Sequence, residues 1–448
     1  MDAVAPRSMP IRRILNRKYK LMILAYLVAV TLLSYQPGLT IAARATGVLL
    51  GAGFLFLAAT TNRKVSIPLS YRIWIAWFFF ALFTSTQADY PDLAAFKILT
   101  LVQIVPIAFV LTNYLLWSGS SRFYTLGLVF CALASCAMVL IFPRTFSDMS
   151  GRVFGPLGNA NAFGIMLVTA LIFVMVGALC ERRLLGKLLF LAAAGLLFAV
   201  VLQTGSRQAI IGTVVGGFMI IASYVYGTRA GLKGVLVSVA ILAVLLPVAY
   251  SIASTSKYWY RMEVAIMASR GDTADADSSL LGRMWLYQRA WEVAVDHPLF
   301  GAGLDNFRMA EGLKIGSRIG TYSHSNYMEI LASTGFPGFL LYFSILWHWY
   351  STLYRSRHLM LHKQSFSRYT QVLAITVAYT VMDFTSVSYY DKCAWLVFPW
   401  LIAELEVMRM QPVPGRPSSR ARRRAAGDAD PEESDEAAAG NDVAATST

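Results

Sequence analysis

The feature that most constrains this chain is a repeating series of apolar runs, each about 20 residues long, separated by short polar gaps. A helix of that length crosses the hydrocarbon core of a bilayer, and hydrocarbon offers nothing to an unpaired backbone amide. The runs fall near residues 21–36, 41–61, 69–87, 94–116, 122–142, 160–180, 187–203, 208–226, 235–253, 336–354, 369–387 and 393–409. That makes about twelve spans by length. Composition agrees: 56% of the residues are hydrophobic, 14% are charged and the mean hydropathy is +0.54. A soluble domain of this size would carry about a quarter charged residues. The expected fold class is an all-α polytopic membrane protein.

The formal net charge of +14 would point to nucleic acid in a soluble protein, but here its placement reports topology. With the N-terminus inside, alternate gaps hold Arg63 and Lys64, then Arg122, then Arg182, Arg183 and Lys187, then Arg229 and Lys233, then Arg355, Arg357, Lys363 and Arg368. Those gaps face the cytoplasm, and no nucleic-acid partner is expected. Basic residues 12–20 ahead of the first run read as the start of a retained span, because no small-x-small cleavage site follows. The opposite gaps are poor in Lys and Arg. Their exceptions, Arg144 and Arg152, Arg207, and several arginines of a long polar stretch from Ser254 to Gly335, need another reason. Arg144, Arg261 and Arg318 read as solvated charges. Arg207, in a Thr-Gly-Ser-Arg turn between two spans, reads as functional.

The long stretch carries the chemistry. Ser279 is placed to cap a helix running to about Ala294, with Leu281, Trp285 and Leu286 on one side and Arg283, Tyr287 and Ala290 on another. Arg283 then lies near a helix N-terminus, where unpaired amides and the dipole favour an anion, and its guanidinium adds a two-pronged grip on phosphate. His324 lies in Ser-His-Ser-Asn-Tyr, where Ser323 or Ser325 caps a helix continuing to Gly335. A helix N-terminus and nearby arginines both disfavour the imidazolium, so His324 is expected neutral and able to accept a proton. The remaining histidines, His297, His348, His358 and His362, are assigned no chemistry.

Other patterns lead nowhere. Gly301-x-Gly303 lacks the third glycine and the preceding strand of a dinucleotide fingerprint and reads as a turn. Asp272, Asp275 and Asp277 lack the glycine and closing glutamate of a calcium loop. Cys131, Cys136, Cys180 and Cys393 lie in or beside apolar runs without metal-site spacing, and are expected as small buried hydrophobes rather than disulfide partners. No hydrolase, zinc-protease or Walker motif occurs, and no cofactor or metal is expected.

Taken together, Gly282-Arg283-x-x-Leu286-Tyr287 with Trp291, His297-Pro298-Leu299-x-Gly301-x-Gly303-x-x-x-Phe307, and His324-x-x-Tyr327-x-x-Ile330-Leu331-x-x-x-Gly335 resemble the signature of the O-antigen ligase and polymerase superfamily. Arg152-x-x-Gly155-Pro156-Leu157-Gly158-Asn159-Ala160-Asn161 and Ser206-Arg207 extend the resemblance, which covers about residues 150 to 345. The sequence departs from the pattern at Ser325, where Asn is frequent, and at Ala160, where Pro is usual. The resemblance implies a GT-C-like glycosyltransferase with a large helical periplasmic loop between spans 9 and 10. It implies a donor glycan on undecaprenyl diphosphate, a glycan or lipid-linked acceptor, surrounding membrane lipids and a polysaccharide assembly complex as partners. His324 would deprotonate the acceptor hydroxyl, Arg207 and Arg283 would hold the diphosphate, and Arg152, Asn161, Asn326 and Tyr327 would make further substrate contacts.

The expected organisation is a basic cytoplasmic N-terminus (1–20), spans 1–9 (21–253), a periplasmic loop with the catalytic motifs (254–335), spans 10–12 (336–410) and a disordered cytoplasmic tail (411–448), too polar to bury a core. The expected function is inner-membrane glycan transfer in O-antigen, lipopolysaccharide or exopolysaccharide biosynthesis, metal-independent and inverting. Polymerase and ligase are not separated by these motifs, with a slight lean to polymerase. The competing reading is a twelve-span secondary transporter or an export component. A transporter predicts similar halves and ionisable residues near the midplane, whereas the long loop divides this chain unevenly.

Overall fold

The computed structural model describes residues 9–33, 38–149, 151–228, 278–309 and 320–411. The described residues form helices joined by short turns, with one isolated bridge, Ser147 to Val153, and no strand. In chain order the helices are α1 (Met9–Val28, extended by a π turn Ala29–Leu33), α2 (Thr40–Thr61), α3 (Leu69–Ser85), α4 (Pro91–Ser118), α5 (Arg122–Ile141), α6 (Ala160–Cys180), α7 (Leu184–Gln203) and α8 (Arg207–Thr228). After an undescribed stretch come α9 (Ser278–Asp296), α10 (Asn326–Arg355), α11 (Lys363–Met382) and α12 (Ala394–Met410).

Among the described residues, α2, α4, α5, α6, α7, α8 and α10 are long and apolar enough to cross a membrane, and α3 is a shorter apolar helix. The chain is a multi-pass, all-α membrane protein. The expected ninth span, 235–253, and most of the expected tail lie outside the described residues, as do Asp272, Asp275, Asp277, Arg261 and Arg318.

Helix α6 is the central post. Its apolar window is 72% buried, where the other candidate spans reach at most 50%. Small residues make that enclosure possible, as is usual where helices approach closely in a membrane. A Cβ on Gly164 would meet the Cβ of Ala209 on α8, one on Gly177 would meet Phe190 on α7, and one on Gly216 of α8 would meet Ile172. Large apolar side chains left exposed on α2, α3, α4 and α7 point away from this core, as expected of a lipid-facing surface.

The helix ends sort into two sides. On one, Trp117 Nε1 at the end of α4 donates to the carbonyl of Lys64 at 3.0 Å, Ser121 meets Glu404, and Arg368 pairs with Glu404 at 2.6 Å. These are the Lys- and Arg-rich gaps. On the other side, Leu304 and Asn306 of the long loop bond Ser85 and Tyr90, Val153 bonds Gln203, and Asn326 bonds Asp383. The alternation read from the charges therefore appears as two clusters of contacts. Cys131, Cys136 and Cys393 are buried as expected, but Cys180 is exposed, because α6 ends there and leaves its last residue outside the packed core.

Candidate active site

Among its described residues, the polar loop is fastened to the bundle at the α3–α4 turn and along α10. Its Gly303 to Phe307 segment rests on the α3–α4 turn: Asn306 Oδ1 accepts from Tyr90 N at 2.8 Å and its Nδ2 donates to Tyr90 O at 3.2 Å. Beside it Asp305 holds two cations, Lys97 of α4 at 3.2 Å and Arg308 at 3.0 Å, and Lys97 also lies 3.5 Å above the Tyr390 ring. The second fastening is backbone against backbone. Ala302 N and Gly303 N donate to the carbonyls of Ala332 and Ser333, while Phe336 N donates to Pro298 O. Gly301 and Gly335 both have positive φ, and a Cβ on either would run into the other segment's backbone. The Gly-x-Gly is thus a turn, as expected, and what it binds is α10.

Helix α10 carries a non-helical residue at Gly335, so it is two helices across a kink. This matches the expectation of a short helix ending at Gly335 followed by a span from 336. Ser325 is its N-cap, accepting from Met328 N. Ser323 N donates to Glu329 Oε2 at 2.8 Å, and Ser323 Oγ donates to the Ser325 carbonyl at 2.9 Å. Between these two pinned serines His324 is forced to a φ of 58°. That left-handed backbone is uncommon for a residue with a Cβ, although His is among those that adopt it.

Helix α9 begins one residue before Ser279 and ends at Asp296. Its packed side is Leu286, Ala290 and Val293 against Phe307 and Ala332. The sequence expectation of a Leu281, Trp285 and Leu286 stripe is corrected here, since Trp285 is 40% exposed and Ala290 is fully buried. The near-complete burial of small Ala290 brings α9 close to α10. Tyr287 secures it further, its hydroxyl donating to the Phe384 carbonyl at 2.6 Å.

The earlier outer loop is built around Arg152 and Asn161. Arg152 Nε donates to the Thr204 carbonyl at 2.8 Å and its Nη2 to Asn161 Oδ1 at 3.1 Å. Ser206 Oγ donates to the same Asn161 oxygen at 2.9 Å. Asn159 caps α6, accepting from the amides of Asn161 and Ala162. Gly155 is tight against the Phe163 ring and has a φ of 59°, which suits glycine at the turn into the cap.

These pieces meet in one cleft of about 490 Å³, lined by Asp148, Arg152, Phe154, residues 158–161, Gly282, Arg283, Leu286, Tyr322 and His324. It brings together Arg152, Asn161, Arg283 and His324 from segments far apart in the chain. The N-terminus of α6 also opens into it, adding partial positive charge to two guanidinium groups. Of the other residues singled out from sequence, Arg207 opens α8 immediately after Ser206, half-buried and outside the cleft lining. Asn326 lies fully buried below it: its amide donates to Asp383 Oδ2 and its oxygen accepts from the amides of Ser388 and Tyr389. Tyr327 packs between Phe343 and Phe384 with its hydroxyl on the Thr380 carbonyl. Both tie α10 to the α11–α12 joint.

Burial, and secondarily the charge of Arg283, push the His324 imidazolium down to about 4, so the ring is neutral at pH 7. Tyr322 lies against it, ring centres 4.3 Å apart, and burial holds its hydroxyl protonated. Asp148, Tyr322, Lys97, Asp305 and Glu329 were not singled out from sequence. For Lys97 a signal existed: it is a charge inside an apolar span.

Residues 192–343 match the family model described as O-antigen ligase. That match covers about a third of the chain and supports the resemblance to the O-antigen ligase and polymerase superfamily. Arg207, Arg283 and His324 fall inside the matched region of that superfamily, and Arg152 and Asn161 lie just ahead of it. The chain is also similar to an exopolysaccharide production protein, ExoQ, of Rhizobium meliloti (strain 1021), 24% identical over 65% of this chain and 72% of that one.

Proposed function

We propose that this protein transfers a glycan from undecaprenyl diphosphate to a sugar hydroxyl at the periplasmic face of a bacterial inner membrane, with both termini in the cytoplasm. The reading is supported above all by the cleft that sets a neutral histidine beside Arg283, with Arg152 and Asn161 opposite. The match to the O-antigen ligase family model and the likeness to an exopolysaccharide production protein support the substrate class.

The chemistry follows from the groups present. The acceptor oxygen attacks the anomeric carbon while the carbon–oxygen bond to the diphosphate breaks, inverting that centre in a single displacement. The acceptor proton passes to His324, and the leaving diphosphate keeps the electron pair, its charge met by Arg283 in the cleft. Arg207, at the start of α8 outside the lining, is taken from the family resemblance as a second clamp. A diphosphate leaves without protonation when guanidinium groups are already aimed at it, so no metal is required. Donor binding also serves the base: negative charge beside Arg283 offsets the field that depresses His324, so the loaded site holds a stronger base than the empty one.

We lean to polymerase over ligase; a relative named as an exopolysaccharide production protein fits assembly of a polymer. Deleting the gene tests this. Loss of the ladder of repeat lengths, with single lipid-linked repeats accumulating, is expected; accumulation of full-length unattached chains would establish a ligase instead.

A further inference from the structure

Helix α9 carries Arg283, yet it turns an apolar side to the exterior. At about 100° per residue, Met284, Trp291 and Val295 fall within roughly 40° of one another, well away from the buried Leu286, Ala290 and Val293 side. The stripe continues past the helix end into Leu299, and these four side chains are 49% to 60% exposed. The adjoining outward side, starting beside Val295 at Gln288, is polar and internally paired: Arg289 bonds Glu292 at 2.6 Å and Gln288 reaches the same carboxylate, with Trp285 beside them. An exposed apolar stripe of this kind on an extramembrane helix marks a surface with a partner.

The position of the stripe identifies the partner. The His297 to Gly303 turn is bonded to α10 at Ala332 to Phe336, and Gly335 lies about 13 Å down α10 from Asn326 at 1.5 Å per residue. Leu299 and Phe300 therefore lie beside the end of the span that begins at Phe336. Phe300 meets Phe83 and Phe80 on α3, ring centres 5.6 and 6.4 Å away, on the side where Phe79 and Phe83 face outward. Trp291 stands edge-on to Phe336, 5.9 Å away, and Phe336 begins the exposed face of α10 that continues through Leu340 and Trp347. The α9 stripe is thus continuous with the lipid-facing surfaces of two helices of the bundle.

We infer that α9 is seated in the outer leaflet, with Met284, Trp291, Val295 and Leu299 among acyl chains and Arg289 and Glu292 toward water. Interfacial helices take this form, and tryptophan favours that depth. The seating holds Arg283 and the cleft at the level of lipid headgroups. It does not depend on the reaction proposed above.

The test uses the full chain in phospholipid nanodiscs, with Cys180→Ser removing the exposed native thiol. A fluorescent thiol probe is placed in turn at Val295→Cys, Leu299→Cys and Glu292→Cys, all at exposed or half-exposed positions. Lipids carrying a nitroxide on the upper acyl chain should quench the 295 and 299 probes several-fold more than the 292 probe, and aqueous iodide should show the reverse order. Equal iodide quenching at 292, 295 and 299 would overturn the inference. So would shielding from both quenchers that rises with protein copies per disc, which indicates a second copy on the stripe. Loss of lipid quenching on adding a polyprenyl phosphate would overturn it too, showing that the carrier chain rather than bulk lipid occupies the surface. Should a labelled variant fail to insert, Met284→Cys gives the same readings on the same stripe.

Discussion

The role proposed for His324 as a base rests on where its backbone is held. Two serines pinned on either side give it a left-handed φ, and the loop they form buries the ring against Tyr322 and beside Arg283. In the empty enzyme the ring loses its proton above about pH 4 rather than 6.5. The acid limb of kcat/KM, which reports the free enzyme, should therefore lie near 4, and the limb of kcat should lie higher because donor charge offsets Arg283. A pH–rate series with saturating and limiting donor separates the two; coincident limbs near 6.5 would show that His324 is not the group titrating. The same depression has a stability consequence. Between about 4 and 6.5 the unfolded chain binds more protons than the folded one, so this residue's contribution is complete above 6.5 and is lost as pH falls toward 4. The neutral state was legible from sequence, through the helix start and neighbouring arginines. The leading cause, burial, was not, because it comes from Tyr322 and from distant segments that close the cleft.

At the scale of elements the decisive joint is the turn from His297 to Gly303 against the kink of α10. Backbones touch there, so a single Cβ separates them. Gly301→Val should strain the joint by about 1–3 kcal/mol and reduce transfer while leaving the protein in the membrane; membrane-fraction abundance and transfer activity measured together check it, with unchanged activity counting against the joint. A second fastening is electrostatic. Asp305→Ala would leave Lys97 buried and unpaired, and should cost about 3–5 kcal/mol, read as a lowered Tm in detergent. Helix limits followed closely from runs of apolar residues, and the helix from Ser325 broken at Gly335 followed from its cap and its glycine. The packed side of α9 did not: Trp285 looked like core by size, but the neighbour it faces is solvent, and Ala290 fits because α10 comes close. Asn326 and Tyr327 belong to a signature next to the histidine, and the structure engages both with the α11–α12 joint. Sequence proximity to His324 could not distinguish contact with substrate from support beneath it.

Across the whole molecule the cleft exists because Asp148 to Asn161 and the described residues around Gly282 to Leu286 and Tyr322 to His324, far apart in the chain, meet at one end of the bundle. Alternating basic gaps lead to the expectation that both segments share one side. What they could not disclose was the central role of α6, whose N-terminus opens into the cleft and whose body is the most enclosed of the candidate spans. The account comes down to Arg283 and His324 acting on a lipid diphosphate in that cleft. The direct measurement is transfer from an undecaprenyl-diphosphate-linked donor by the purified chain in nanodiscs, comparing wild type with His324→Ala and Arg283→Ala at equal folded protein. Losses of about 10²–10⁴-fold for the base and 10²–10³-fold for the arginine are predicted. Full transfer by either variant would contradict it.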